Sequence, residues 1–170
     1  MEVQSGCDVA ACPDLLPGHG RSRHSGLRRR LPATELIRSR IEDLNLGQQF
    51  DLVVVPSNIL CFVDRLRAAA SHVAAHGLLA FELTNPHWLR AGASAGVRVQ
   101  SLDGNGARFE VDYKLPDGRT VTQQAEVPLV WPEEVENWLA TVAGLKLRRM
   151  FARPDAELVN SPSFYVVAGK

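Results

Sequence analysis

Phe50-Asp51-Leu52-Val53-Val54-Val55-Pro56-Ser57-Asn58 and Leu78-Leu79-Ala80-Phe81-Glu82-Leu83-Thr84-Asn85-Pro86 decide how this chain folds. Each is an apolar run closed by a small polar cluster. Strands this apolar read as buried on both faces, as in a parallel sheet covered by helices. Their polar ends then fall at the carboxyl edge of the sheet, where open α/β folds bind ligands. Between them Phe62, Leu66, Ala69, Ala70 and Val73 share one helical face, while Asp64, Arg65, Arg67, Ser71 and His72 fall elsewhere. The spacing predicts a helix over 59–76, ended by Gly77 in the left-handed conformation. His72 and His76 then sit late on that helix, on its solvent side. A strand–helix–strand unit implies a parallel pair joined by a right-handed crossover.

Downstream the period changes. Phe109, Val111, Tyr113 and Leu115 interleave with Glu110, Asp112 and Lys114, the pattern of a half-buried antiparallel strand. Pro116-Asp117-Gly118 marks a turn, and Thr120 to Leu129 returns. Val97 to Leu102 adds a third strand across Asp103-Gly104-Asn105-Gly106, so residues 97–129 read as an inserted antiparallel β-meander. Pro132 suits the first position of the next helix, and Glu133, Glu134 and Glu136 complement its dipole. Val135, Trp138, Leu139 and Val142 form its buried stripe, Gly144 stops it, and Trp131 reads as core. Leu145 to Phe151 and Ser163 to Ala168 are the last two strands, close enough in sequence for an antiparallel pair.

Upstream the composition shifts. Residues 1–34 read as an irregular leader of Gly, Pro, Arg, His and Ser with no helix or strand period, and Arg28-Arg29-Arg30 as a solvated basic run. Ordered structure is expected from residue 35, with Leu36 to Ser39 as a short strand and a turn at Gly47. Over the whole 170 residues, 19 basic side chains balance 19 acidic ones, which gives no reason to expect nucleic acid or an anionic membrane as partner. No apolar run approaches the about 20 residues of a membrane span, and Met1 to Ala10 lacks a secretory pattern, so a cytoplasmic location is expected. Cys7 and Cys12 have no second cysteine pair to complete a zinc site, and Cys61 reads as a small buried residue; no metal is expected.

Taken in order, these segments resemble class I S-adenosylmethionine-dependent methyltransferases of the small-molecule type. The resemblance is carried by Ile37 to Leu44, Phe50 to Val55, Gly77 to Pro86, Trp131 to Glu134 with Trp138-Leu139, Gly144-Leu145, and Ser161 to Ala168. It covers residues 35–170 and rests on order and spacing. It implies an α/β, Rossmann-like methyltransferase sheet whose last strand runs antiparallel, with the methyl donor S-adenosylmethionine across the carboxyl ends of the strands. The family's first strand, its Gly-x-Gly loop and the acidic end of its second strand have no convincing counterpart. Pro17-Gly18-His19-Gly20-Arg21 has the glycine spacing but no strand before it. The sheet is therefore expected to be incomplete in its N-terminal half. The strand at Asp51 would then present a long apolar edge, which invites a homodimer through that edge.

The resemblance also places residues. Arg40, Ile41 and Glu42 would lie near adenine, although the family usually has an acidic residue where Arg40 stands, and arginine accepts no hydrogen bond. Val55, Pro56 and Ser57 would lie near the methionine part of the cofactor. Asn58, His87, Trp88 and Tyr113 are candidates for contacts with a small-molecule substrate. Asn58 reads equally as a cap of the following helix. His87 reads either as a group that orients substrate or takes a proton, or as an exposed loop histidine, because no carboxylate stands at a fixed spacing from it. No catalytic residue is assigned. In-line positioning of donor and acceptor can itself supply most of a methyl transfer. The alternative is a non-catalytic domain of the same fold that binds a partner or dimerises.

Overall fold

Phe50–Val55 forms strand β1 and Val73–Thr84 forms β2; they run parallel, in register from Leu52 opposite Leu78 to Val55 opposite Phe81. The computed structural model describes residue 37 and residues 39–93, 96–152 and 157–170. The leader, Cys7, Cys12 and the Gly18–Gly20 pair lie outside the described residues. Ile37 and Ser39 are not in a strand; Leu36 and Arg38, the rest of the short strand expected there, lie outside the described residues.

Helix α1 (Val63–Ser71) connects the two strands and is shorter than expected. Its last turn closes on His72 rather than on Gly77, and β2 begins at once with Val73, opposite Phe50 and fully buried. Gly77 therefore sits within a strand. A Cβ there would lie 2.6 Å from the Phe50 carbonyl oxygen, so glycine is needed for the close approach of β1 and not for a left-handed turn. The alanine-rich stretch before Gly77 has helical propensity, but pairing with β1 overrides it.

β2 also pairs antiparallel with β7 (Ser163–Gly169), and β7 with β6 (Lys146–Phe151), giving one four-stranded sheet in the order β1-β2-β7-β6. Strands β3 (Val97–Leu102), β4 (Gly106–Lys114) and β5 (Thr120–Pro128) form the expected meander as a separate antiparallel sheet. A short helix, α2 (Pro86–Arg90), leads into it. A 3₁₀ turn at Pro132–Glu134 continues into α3 (Val135–Ala143), ended by Gly144 with φ of 62°. Ala152 to Pro162 contains a 3₁₀ turn, Leu158–Asn160.

The core lies on one face of the four-stranded sheet. Leu79, Phe81 and Leu83 of β2 and Phe164, Val166 and Ala168 of β7 point to that face and pack with Leu66, Val135, Leu139 and Leu145. The opposite face departs from the expected two-sided burial. Leu52 is 54% exposed, Val54 48%, Leu78 38% and Phe151 42%. Among the described residues, α1 and α3 both pack on the first face and nothing comparable covers the second.

The meander is amphipathic in the manner its alternation predicts. Its inner face packs Ala107, Val99, Phe109 and Val127 against Leu89, Leu129 and Trp88. Its outer face carries a charge ladder. Arg98 donates to Glu110 Oε2 (3.0 Å) and to Asp112 Oδ1 (3.1 Å), Thr122 donates to Asp112 (2.6 Å), and Arg108 donates to Glu126 (2.8 Å). Hydrogen bonds from Arg98, then from Thr122, hold the Asp112 carboxyl down to about 2 from an ordinary 3.8. A depressed carboxylate contributes stability above its unfolded pKa and loses it as pH falls through the folded one. Asp112→Asn is therefore expected to lower the urea midpoint near neutral pH. That deficit should begin to shrink below about pH 4 and close near about pH 2. A deficit that does not change over that range would contradict the assignment.

Candidate functional site

The carboxyl ends of β1 and β2 lie side by side, and their polar residues are joined to one another. Asn58 Oδ1 accepts a hydrogen bond from the Thr84 N–H (2.9 Å), and the Ser57 N–H donates to Glu82 Oε2 (3.3 Å). Asn58 does not cap α1, whose N-cap residue is Phe62 and carries no side-chain cap. Ser57 has φ of 66°, left-handed for a residue other than glycine. Val55 is buried beneath this loop, while Pro56 and Ser57 face solvent. Beside them the Cys61 Sγ donates to the Asn58 carbonyl, and burial pushes its thiol up to about 12, so it offers no thiolate nucleophile.

Asn85 continues the cluster. It is fully buried; its amide nitrogen donates to the Leu158 and Ser161 carbonyls (2.8 Å to the latter), and its Oδ1 accepts from the His87 N–H (3.1 Å). One side chain thus caps α2 and pins the loop that precedes β7 to the end of β2. Asn85-Pro86 carries the sequence signal of a cap followed by proline at the first helical position.

His87 Nε2 lies 3.1 Å from Glu133 Oε2, and its ring meets Trp131 edge-on at 5.1 Å. The Arg90 guanidinium lies over the same indole at 4.3 Å, and Trp131 Nε1–H donates to the Gly104 carbonyl (3.0 Å). Glu133 thus supplies the carboxylate that its spacing in sequence, 46 residues from His87, had concealed. A bond from its own backbone, opposed by desolvation and reinforced by His87, holds the Glu133 carboxyl below its usual value. In a neutral ring, a carboxylate on Nε2 makes that nitrogen the donor and leaves Nδ1 as the acceptor. Trp88 turns away into the apolar packing between α2 and the meander.

The remaining candidates make contacts of their own. Ile41 packs on the main core. Glu42 Oε1 receives Arg65 Nε of α1 at 2.9 Å, and Arg40, 66% exposed, pairs with Glu42 (3.6 Å) and Asp43 (4.0 Å). His72, expected on the solvent side, is buried. Its Nδ1 bonds the Ala68 carbonyl (2.8 Å) and its Nε2 accepts from the Leu46 N–H (3.1 Å), which ties this segment to the end of α1. His76 is exposed, but on β2. Tyr113 pairs with Val121 near the Pro116–Gly118 turn, half exposed and seven residues along β4 from the end that meets Trp131. That is about 24 Å of strand. Among the described residues no three His, Cys, Asp or Glu side chains group to hold a metal, and no helix is long and apolar enough to cross a membrane.

The fold is similar to those of solved methyltransferases, among them S-adenosylmethionine-dependent ones. One from Clostridium acetobutylicum superposes with a TM-score of 0.63 at 14% identity, over 86% of this chain and 68% of that one. The CcbJ methyltransferase of Streptomyces caelestis gives 0.56 at 20%, over 85% and 69%. The sugar N-methyltransferase KedS8 of Streptoalloteichus gives 0.53 at 18%, over 89% and 69%. The chain thus has the fold of these enzymes and spans about two thirds of their length. No protein-family model matches the sequence, and a search of curated proteins finds no match.

Asn85→Ala strands two carbonyls and one N–H in a buried place, and is expected to cost about 2–4 kcal/mol. Glu133→Gln breaks an exposed pair and should cost less than about 1 kcal/mol. Urea unfolding measures both. A cost below about 1 kcal/mol for Asn85→Ala would contradict the pinning role.

Proposed function

We propose that the chain supports S-adenosylmethionine-dependent methyl transfer to a small molecule. The observation that carries this reading is the joined polar edge at the carboxyl ends of β1 and β2, in a chain whose fold is similar to that of a solved S-adenosylmethionine-dependent methyltransferase. The glycopeptide N-methyltransferase MtfA, of the same fold, has been solved with S-adenosylmethionine and with S-adenosylhomocysteine.

The described residues fit this cofactor in part. Val55, Pro56 and Ser57 form the strand end where the methionine part would lie; Pro56 and Ser57 are exposed there, but the Ser57 N–H is engaged by Glu82 and its carbonyl by the Ile59 N–H. Near the adenine position, Arg40 offers no acceptor and the Glu42 carboxylate is already engaged by Arg65. When bound, the cofactor supplies an electrophilic methyl group on a sulfonium. Of this chain's own groups, Asn58 holds the two strand ends in register. His87, with Nε2–H turned to Glu133, presents Nδ1 to take a proton from an acceptor hydroxyl or ammonium. Trp88 serves the packing under α2, and Tyr113 would reach substrate only from the outer end of the meander.

A second reading has its own support: a non-catalytic domain that binds a partner through the sheet. The exposed Leu52, Val54 and Leu78 and the occupied state of Glu42 favour it. Titration calorimetry with S-adenosylmethionine separates the two. Methyl transfer predicts a measurable heat with Kd of about 0.1–1 mM, weakened by the missing adenine acceptor. No heat at millimolar ligand would overturn it in favour of the second reading.

A further inference from the structure

Arg90 has a fixed seat and, among the described residues, no acceptor. Its guanidinium lies over the Trp131 ring at 4.3 Å and donates to no carboxylate or carbonyl of those residues. Arg98, Arg108 and Arg119 of the meander, by contrast, each meet a carboxylate of this chain. Trp131 is itself held: it is buried, and its Nε1–H donates to the Gly104 carbonyl (3.0 Å). A guanidinium stacked on a fixed indole has lost rotamer freedom before any ligand arrives, and its N–H fork remains for a planar acceptor. His87 meets the same ring at 5.1 Å, with Nε2 turned to Glu133 and Nδ1 without a partner among the described residues. His87 and Arg90 stand three residues apart on α2 and so share a helix face. That helix is capped by Asn85, directly after Thr84, whose N–H is bonded by Asn58 at the joined strand ends.

We propose that the methyl acceptor is a small amino carboxylate, its carboxylate received by Arg90 and its amine set at His87 Nδ1. This rests on the methyl-transfer reading and names its substrate class. Charge and span select that class. Arg90 and Glu133 place one charge of each sign around one indole, since Glu133 Oε2 lies 3.1 Å from His87 Nε2. The complementary ligand is negative at one end and carries an ammonium at the other. A phosphate dianion would satisfy Arg90 but turn its second charge on Glu133, and a bare amine would leave Arg90 without an acceptor. Side chains three apart on a helix have Cβ atoms about 5–6 Å from each other, and both of these return to one ring. The carboxylate and the amine therefore belong within a few bonds of one another. A guanidinium and a carboxylate match as planar forks, joined by two parallel N–H···O bonds. At the other end the ammonium gives a proton to Nδ1 of neutral His87. The lone pair so freed forms the new N–C bond with the methyl group, and the electrons of the broken S–C bond stay on sulfur.

The test follows side-chain N–H signals by NMR in the full chain, isotope-labelled, near neutral pH and without cofactor. β-Alanine is the probe, with acetate, ethylammonium and inorganic phosphate as comparisons at equal ionic strength. β-Alanine should move the Trp131 indole and Arg90 Nε–H signals saturably, with Kd of about 1–10 mM. Acetate and ethylammonium, each half of the pattern, should bind at least about tenfold more weakly. Arg90→Met keeps an apolar stem over Trp131 and should raise Kd at least about tenfold. Arg90→Lys, which keeps the charge and loses the fork, should fall between. The indole signals of Trp88 and Trp138 should hold their places in both variants, which separates lost binding from lost folding. Signals that β-alanine does not move would overturn the inference. So would acetate or phosphate binding as tightly as β-alanine, or an unchanged Kd in Arg90→Met. β-Alanine failing while S-adenosylmethionine gives heat removes the substrate class alone. β-Alanine binding while S-adenosylmethionine gives no heat removes methyl transfer itself, and with it the ligand's role as acceptor.

Discussion

The close approach of β1 to β2 at Gly77 is the contact on which the rest of the molecule depends. Among the described residues, β2 is the only strand that pairs on both sides with partners of opposite direction, parallel with β1 and antiparallel with β7. With any side chain at 77 the Phe50 carbonyl could not lie where it does. β1 would then move away from β2, and Asn58 would lose the Thr84 N–H that joins the two polar strand ends. The candidate site is thus a consequence of sheet geometry, and its side chains finish an arrangement that backbone pairing has set.

From that junction the structure is asymmetric. On one face, Phe164, Leu79 and Leu83 are enclosed by α1 and α3, and burial of this kind is the main source of stability. On the other, Leu52, Val54 and Leu78 meet solvent. A contiguous apolar surface of this kind on a folded protein marks a place for a partner or a covering segment.

Much of the fold is legible in the sequence. The apolar runs at 50–55 and 78–84 read directly as strands because their side chains demand burial, and the meander reads from strict alternation around Phe109 and Val111. The end of α1 does not. His72 to His76 suits a helix locally, and only the distant Phe50, which takes Val73 as its partner, turns it into strand. The open face was equally hidden: an apolar strand looks the same in sequence whether one face or two is covered. Within the site, Asn58 announces itself by position at a strand end, whereas the part Asn85 plays depends on the distant Leu158 and Ser161 carbonyls. The pairing of His87 with Glu133 does not, since the whole meander separates them in the chain and only its folding back through Trp131 and Gly104 brings them together.

Among the described residues, the sheet is buried on one face, open on the other, and joined at its polar strand ends. Paramagnetic relaxation of methyl signals by a soluble gadolinium chelate, in dilute solution, tests it most directly. The methyls of Leu52, Val54 and Leu78 should broaden strongly, while those of Leu79, Leu83 and Val166 on the same strands and their neighbour stay sharp. Equal protection of the two sets would contradict the account, because it would mean that both faces are covered.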